Sequence, residues 1–143
     1  MTKTDGAVPP DKLAKVAAPE RVAAFRAGIS AEARAAAYLM AKGYRILAKR
    51  FRSPYGEIDL VARKRNLVAF VEVKARRGSE FGDPVEAVNW KKQKELTRSA
   101  HVWIDRHGRP FESYRFDVVG ILVDGDRVRV RHVADAFALP SSA

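Results

Sequence analysis

The sequence predicts an α/β domain, a mixed sheet flanked by helices, in the order α-β-β-β-α-β-β. Three observations lead there. Residues 56 to 76 form two runs rich in Val, Ile, Leu and Phe around a short polar break, Lys64-Arg65-Asn66, which is the pattern of a β-hairpin. Segments of helix-forming residues flank this hairpin, before residue 43 and again up to residue 107. A further apolar run, Ser113 to Val123, leads through the turn signal Asp124-Gly125 into a strand that alternates Arg and Val.

Taken in order, residues 1–19 hold Gly6, Pro9, Pro10 and Pro19 without periodicity and are expected to form a flexible tail. Residues 20–143 are then the domain. Glu20 to Lys42 is rich in Ala and Arg, and Ile29, Ala33, Ala36, Ala37 and Met40 fall on one stripe expected to face the core. Gly28 and Ser30 divide a short first helix from the main one, with Ser30 as N-cap and Gly43 as the stop. Glu32 sits in the first turn, where the helix dipole favours an acid. Tyr44 to Phe51 reads as the first strand. Lys49, Arg50 and Arg52 cluster at its end, before the turn Ser53-Pro54-Tyr55-Gly56, and are candidates to hold phosphates. Tyr55 could stack on a base, though packing on its own domain is the plainer expectation.

The hairpin carries the chemistry. A two-residue loop at Arg65-Asn66 places Lys64 opposite Leu67, Ala62 opposite Ala69, Leu60 opposite Val71 and Ile58 opposite Val73. Three side chains from each run share that side, so Ile58, Leu60, Ala62, Ala69, Val71 and Val73 make one apolar face. The other face sets Val61 against Phe70, Asp59 against Glu72 and Glu57 against Lys74. Two carboxylates this close repel, and apolar surroundings sharpen the repulsion. A cation between them removes it, and Mg²⁺ (or Mn²⁺) suits two protein carboxylates. Lys74 would stand beside it, so that metal, acids and lysine together could polarise a phosphodiester and activate water. A solvated face with a Glu57–Lys74 pair is the plainer alternative, and a one-residue slip would part the acids.

Beyond the hairpin, Arg76-Arg77-Gly78-Ser79-Glu80-Phe81-Gly82 is a basic loop suited to a nucleic-acid backbone. Asp83-Pro84-Val85-Glu86 reads as a helix start, with a second start at Asn89. Leu96, Ala100, Trp103 and His107 share a stripe, with Trp103 in the core, and Gly108 ends the helix. Lys91, Lys92, Gln93 and Lys94 crowd its start, where cations oppose the dipole and phosphate is a natural counter-charge. In the next strand Asp117 reads as a structural partner for an arginine such as Arg115. Arg127 to Val133 has a basic outer face, and Ala134 to Phe137 packs. His101, His107 and His132 form neither a metal spacing nor a catalytic pair.

The 143 residues suffice for one domain with a hydrophobic core. The absence of cysteine excludes a disulfide scaffold and a thiolate metal site, and it fits a cytoplasmic location. No stretch is long and apolar enough to span a membrane. The net charge of +10 lies wholly beyond residue 20, because residues 1–20 carry three lysines and three acids. Such a surface favours nucleic acid.

Asp59 followed by Glu72-Val73-Lys74 resembles the D…E-x-K signature of the PD-(D/E)xK nuclease superfamily. Gly56-Glu57-Ile58-Asp59-Leu60 with Phe70-Val71-Glu72-Val73-Lys74 resembles, more narrowly, the YraN-like family, whose fold is related to archaeal Holliday-junction resolvases. The likeness extends over roughly residues 28 to 137. It implies a restriction-endonuclease-like fold, with metal held by Asp59, Glu72 and the backbone carbonyl of Val73. It implies that Lys74 is catalytic and that Glu32 matches an acid completing the metal site. Lys92 and Gln93 match helix positions facing the catalytic strands, where either would touch substrate or the attacking water. Related resolvases also pair as homodimers. Two departures stand out: Ile58 replaces the usual proline before the first acid, and Glu95 stands where a basic residue is expected.

The expectation is therefore a Mg²⁺-dependent DNA endonuclease, structure-specific or junction-resolving. Asp59, Glu72, Lys74, Glu32 and Gln93 would be its catalytic group. Arg50, Arg52, Arg76, Arg77, Lys91, Lys92 and Lys94 would be its nucleic-acid-binding group. The alternatives are a non-catalytic nucleic-acid-binding protein on the same fold, or an interaction protein that binds an acidic partner.

Overall fold

The computed structural model describes residues 31–77 and 88–139. The tail at 1–19, the helix from Glu20 with its division at Gly28 and Ser30, the loop at 78–82 and the helix start at Asp83 lie outside the described residues. The elements are α1 (Ala31–Ala41), β1 (Arg45–Ser53), β2 (Gly56–Lys64), β3 (Leu67–Arg77), α2 (Trp90–His107), β4 (Ser113–Asp124) and β5 (Arg127–Phe137). This is the α-β-β-β-α-β-β order expected. The strands form one sheet in the order β1-β2-β3-β4-β5, with β3 and β4 parallel and the other pairs antiparallel. The parallel step is the one that α2 crosses, as parallel neighbours require.

The sheet is covered on both faces. On one, Ala35, Ala36 and Leu39 of α1 pack on Leu60, Ala62, Ala69, Val71, Val119, Ile121 and Val123. On the other, Leu96, Ala100 and Trp103 of α2 pack on Ile58, Val61, Val68, Phe70, Phe116 and Val118. Phe70 is the aromatic hub, with its ring centroid 5.8 Å from that of Trp103 and 5.7 Å from that of Phe116. Strands covered on both faces read as continuous apolar runs, and that is how β3 and β4 read. Asn89 caps α2, its side chain accepting from the Lys92 amide at 2.9 Å, and the Gly108 amide closes the far end on the Ile104 carbonyl. Among the described residues no helix is long and apolar enough to cross a membrane.

Four local expectations are corrected. In α1 the inward residues are Ala31, Ala35, Ala36 and Leu39, while Ala33 and Met40 are exposed. An alanine-rich helix carries too little amphipathic contrast to fix its rotation, so the single Leu39 and the sheet decide it. In the hairpin the register holds from Lys64↔Leu67 to Leu60↔Val71 and the ladder then stops. Ile58 does not share the Leu60 face; it is buried in the α2 core, opposite Phe51 of β1. Arg50, beside this flip, has a positive φ of 51°. Finally, Glu57 pairs with Arg52 at 3.1 Å, and Lys74 turns to Glu72. His107, placed on the α2 core stripe, is exposed.

Candidate metal and nucleic-acid site

Where β2 and β3 part, the missing ladder bond is replaced by a side chain. The Val73 amide donates to Asp59 Oδ2 at 2.8 Å. This draws the Asp59 carboxyl in between the strands and beside the Glu72 carboxyl, its hydrogen-bonding neighbour. Burial is the largest influence on Asp59 and the Glu72 charge the next; together they push its pKa up to about 7, against the opposing pull of the Val73 amide.

Glu72 is 5% exposed. Its Oε2 faces Lys74 Nζ at 3.3 Å and Lys92 Nζ, reaching over from the first turn of α2, at 3.7 Å. Its Oε1 is buried with no hydrogen-bond partner among the described residues. An uncompensated buried oxygen is costly unless something binds it. Glu32, in the first turn of α1, contributes to the field that raises Asp59, but its Oε1 accepts from Arg50 Nε at 2.9 Å. Among the described residues no three acidic or histidine groups form a ready cage for a metal. The donor set is a pair of buried hard-oxygen ligands with one oxygen spare, which fits a cation that keeps much of its water shell.

The other expected residues divide. Lys92 is brought to Glu72. Arg50 reaches the site through Glu32. Gln93, placed in the catalytic group by resemblance, donates from Nε2 to the Val88 carbonyl at 3.0 Å and so helps hold the approach to α2. Arg52 is on the rim against Glu57. Arg76 and Arg77 are exposed at the end of β3, and Lys91 is exposed on α2. Lys94 lies over the Trp90 ring, 5.4 Å from its centroid.

Asp117 gives the contrasting case. It is buried, as an arginine partner of Arg115, whose Nε and Nη2 donate to its two oxygens at 2.7 and 2.8 Å. His132 Nε2 lies 2.7 Å from Oδ2, and the Asp135 amide donates to Oδ1 at 3.1 Å. Burial alone would raise its pKa, but the His132 and Arg115 bonds outweigh burial and hold it below the usual carboxylate value. The histidine contact was not foreseen, since the two residues are 15 apart in sequence and meet only through the β4–β5 pairing. Alternation along the two strands, carried through the turn, was the available signal.

A family model described as "Uncharacterised protein family UPF0102" matches residues 31–121. A UPF0102 protein of Bradyrhizobium diazoefficiens is 54% identical over 138 residues, 96% of this chain and 97% of its own length. One from Rhodopseudomonas palustris strain BisB18 is 57% identical over 122 residues, 85% of this chain and 87% of its own. One from Nitrobacter winogradskyi is 54% identical over 117 residues, 82% and 96% respectively.

Proposed function

The chain belongs to the uncharacterised protein family UPF0102, the YraN-like group of the restriction-endonuclease-like superfamily, and from that premise we propose that it is a Mg²⁺-dependent DNA endonuclease. The observation that carries the reading is the acid pair: Asp59 is raised to about 7 by burial and by Glu72, and Glu72 keeps a buried oxygen without a partner. Perturbed acids held together in this way mark functional sites more often than structural ones.

Asp59 and Glu72, joined by the Val73 carbonyl, would hold Mg²⁺ or Mn²⁺. When bound, the ion supplies charge that polarises the phosphodiester and favours hydroxide over water. Lys74 orients the attacking water and offsets charge gathering on the phosphoryl oxygens, the task of a compact ammonium on a rigid strand. Lys92 bears on the same carboxylate from α2 and reaches the phosphate from the other side. Hydrolysis adds the water oxygen to phosphorus and releases the ester oxygen as a hydroxyl. Glu32, released from Arg50, would complete the metal's ligands, while Arg50, Arg52, Arg76, Arg77 and Lys91 follow the backbone. If the substrate is a four-way junction, a two-fold pair of chains would set one site on each of two strands.

One observation favours a second reading, a non-catalytic nucleic-acid-binding protein. Lys74 and Lys92 answer Glu72, and Arg50 answers Glu32, so three cations already stand against these two acids. Labelled duplex, single-strand, flap and four-way-junction DNAs, incubated with Mg²⁺ or Mn²⁺, separate the two. The nuclease reading expects one structure to be cut, with a loss of at least about 100-fold in Glu72→Ala. Tight, salt-sensitive binding without cutting in either metal would establish the binding protein instead.

A further inference from the structure

Two large aromatic side chains stand out in solvent on α2 and on the β1–β2 turn, each with a cation over its ring. Trp90, the first residue of α2, is 73% exposed, and Lys94 Nζ sits 5.4 Å from its centroid. Tyr55, in the β1–β2 turn, is 48% exposed, and Arg98 Cζ sits 5.6 Å from its centroid. Residues 90, 94 and 98 recur every four positions and so form one stripe on α2, about 12 Å long at ~1.5 Å per residue. The turn that carries Tyr55 is fixed to the same helix, with Ser53 Oγ 2.7 Å from Ser99 Oγ. The stripe is therefore continuous in the order Trp90, Lys94, Arg98, Tyr55.

Residues 90, 94 and 98 are exposed on the outer side of α2, and the chain leads from each end of the stripe toward the acids. Trp90 is two residues from Lys92, whose Nζ is 3.7 Å from Glu72. Tyr55 is four residues from Asp59, roughly 13 Å of strand at ~3.3 Å per residue. The apolar core needs neither ring, since both clusters of buried side chains close without them.

We propose that this stripe is a stacking platform for unpaired bases, so that the protein binds a single-stranded DNA segment along the outer side of α2. Aromatic faces interleaved with cations are the chemistry of single-strand binding, because an unpaired base offers its π-face while its phosphate meets a charge. A duplex hides those faces in its own stack. The stripe spans about three to four nucleotides at the ~3.4 Å spacing of stacked bases. The net charge of +10 complements the strand. The proposal rests on the nuclease reading for its meaning, since it makes the substrate a DNA with an unpaired arm, but it is tested by binding alone.

The test is a fluorescence titration of the full chain in EDTA with a 15-nucleotide oligo-dT and with an abasic strand of equal length. Of the two tryptophans, Trp103 is only 3% exposed, so quenching reports Trp90. The expected result is quenching by oligo-dT but not by the abasic strand. Trp90→Ala and Tyr55→Ala, both read by anisotropy of a labelled strand, should each weaken binding roughly tenfold, with Trp90→Phe restoring most of it in the same readout. Lys94→Gln and Arg98→Gln should each lower the salt slope by about 0.7. Equal affinity for the abasic strand with no loss in Trp90→Ala would overturn the platform. So would competition by polyglutamate as strong as that by oligo-dT, which would point to an acidic polypeptide. In EDTA no metal-dependent cleavage occurs, so the titration tests the platform alone; stacking here with no cutting in the separate Mg²⁺ assay would count against the nuclease alone, and cutting there without stacking here would count against the platform alone.

Discussion

Two strand aspartates, Asp59 and Asp117, each receive a backbone N–H that the ladder leaves over, from Val73 and from Asp135. What separates them is company. Asp117 has Arg115 and His132 and is held below the usual carboxylate value, as befits a structural tie. Asp59 has Glu72 and is pushed up to about 7. The sign of the linkage follows. A raised acid keeps its proton in the folded state between pH ~4 and ~7, where the unfolded chain has lost it, so folding stability falls as pH rises through that window. Asp59→Asn keeps an oxygen for the Val73 amide and removes the titration. Relative to wild type it should be equally stable near pH 4 and more stable by about 2 kcal/mol at pH 8, after discounting ~1.36 kcal/mol per unit for residual solvent. Urea denaturation at the two pH values measures this, and a difference that does not grow with pH would refute it.

At the scale of elements, Asp117 ties β4 to β5 at the bulge between Phe116 and Val118, and through His132, 3.3 Å from Tyr38 OH, to α1. Arg115 extends the network to Tyr44, to whose hydroxyl it donates at 2.8 Å. Removing one member of a buried charged network leaves the others unanswered. Asp117→Asn should therefore cost about 3 kcal/mol in chemical denaturation, and a cost below ~1 kcal/mol would show the network to be dispensable. The strands and their order were legible because β3 and β4, covered on both sides, need unbroken apolar runs, and because two-residue loops fixed the inner hairpin register. The acid pair was legible for the same reason: Asp59 and Glu72 interrupt otherwise apolar strands. Less was readable where backbone geometry departs from regular pairing. Period-two counting carried Ile58 to the Leu60 face, but the break at Asp59 turns it to the α2 side. Alanines in α1 gave no phase. Tyr55, expected to pack on its own domain, is instead exposed with Arg98 over its ring, and Trp90 is exposed too, since neither a turn nor a helix start reveals its solvent contact from sequence.

For the whole molecule, the fold sets α1 and α2 on opposite faces of one sheet and lets their first turns deliver Glu32 and Lys92 to the end where β2 and β3 separate. The rest of the sheet is apolar support for that end. A basic chain of +10 would draw nucleic acid to it whether or not chemistry follows, so binding cannot decide between a nuclease and a binding protein. Lys74 can. It is 27% exposed, half-buried on β3, and its loss removes one of many charges from the surface but the nearer of the two ammoniums beside Glu72. The decisive measurement is single-turnover cleavage by wild type and Lys74→Ala at matched DNA occupancy in Mn²⁺, on the structure that wild type cuts. The account predicts binding within about threefold of wild type and a cleavage rate lower by at least ~100-fold. Cleavage at the wild-type rate in Lys74→Ala would contradict it and move the chemistry away from the hairpin.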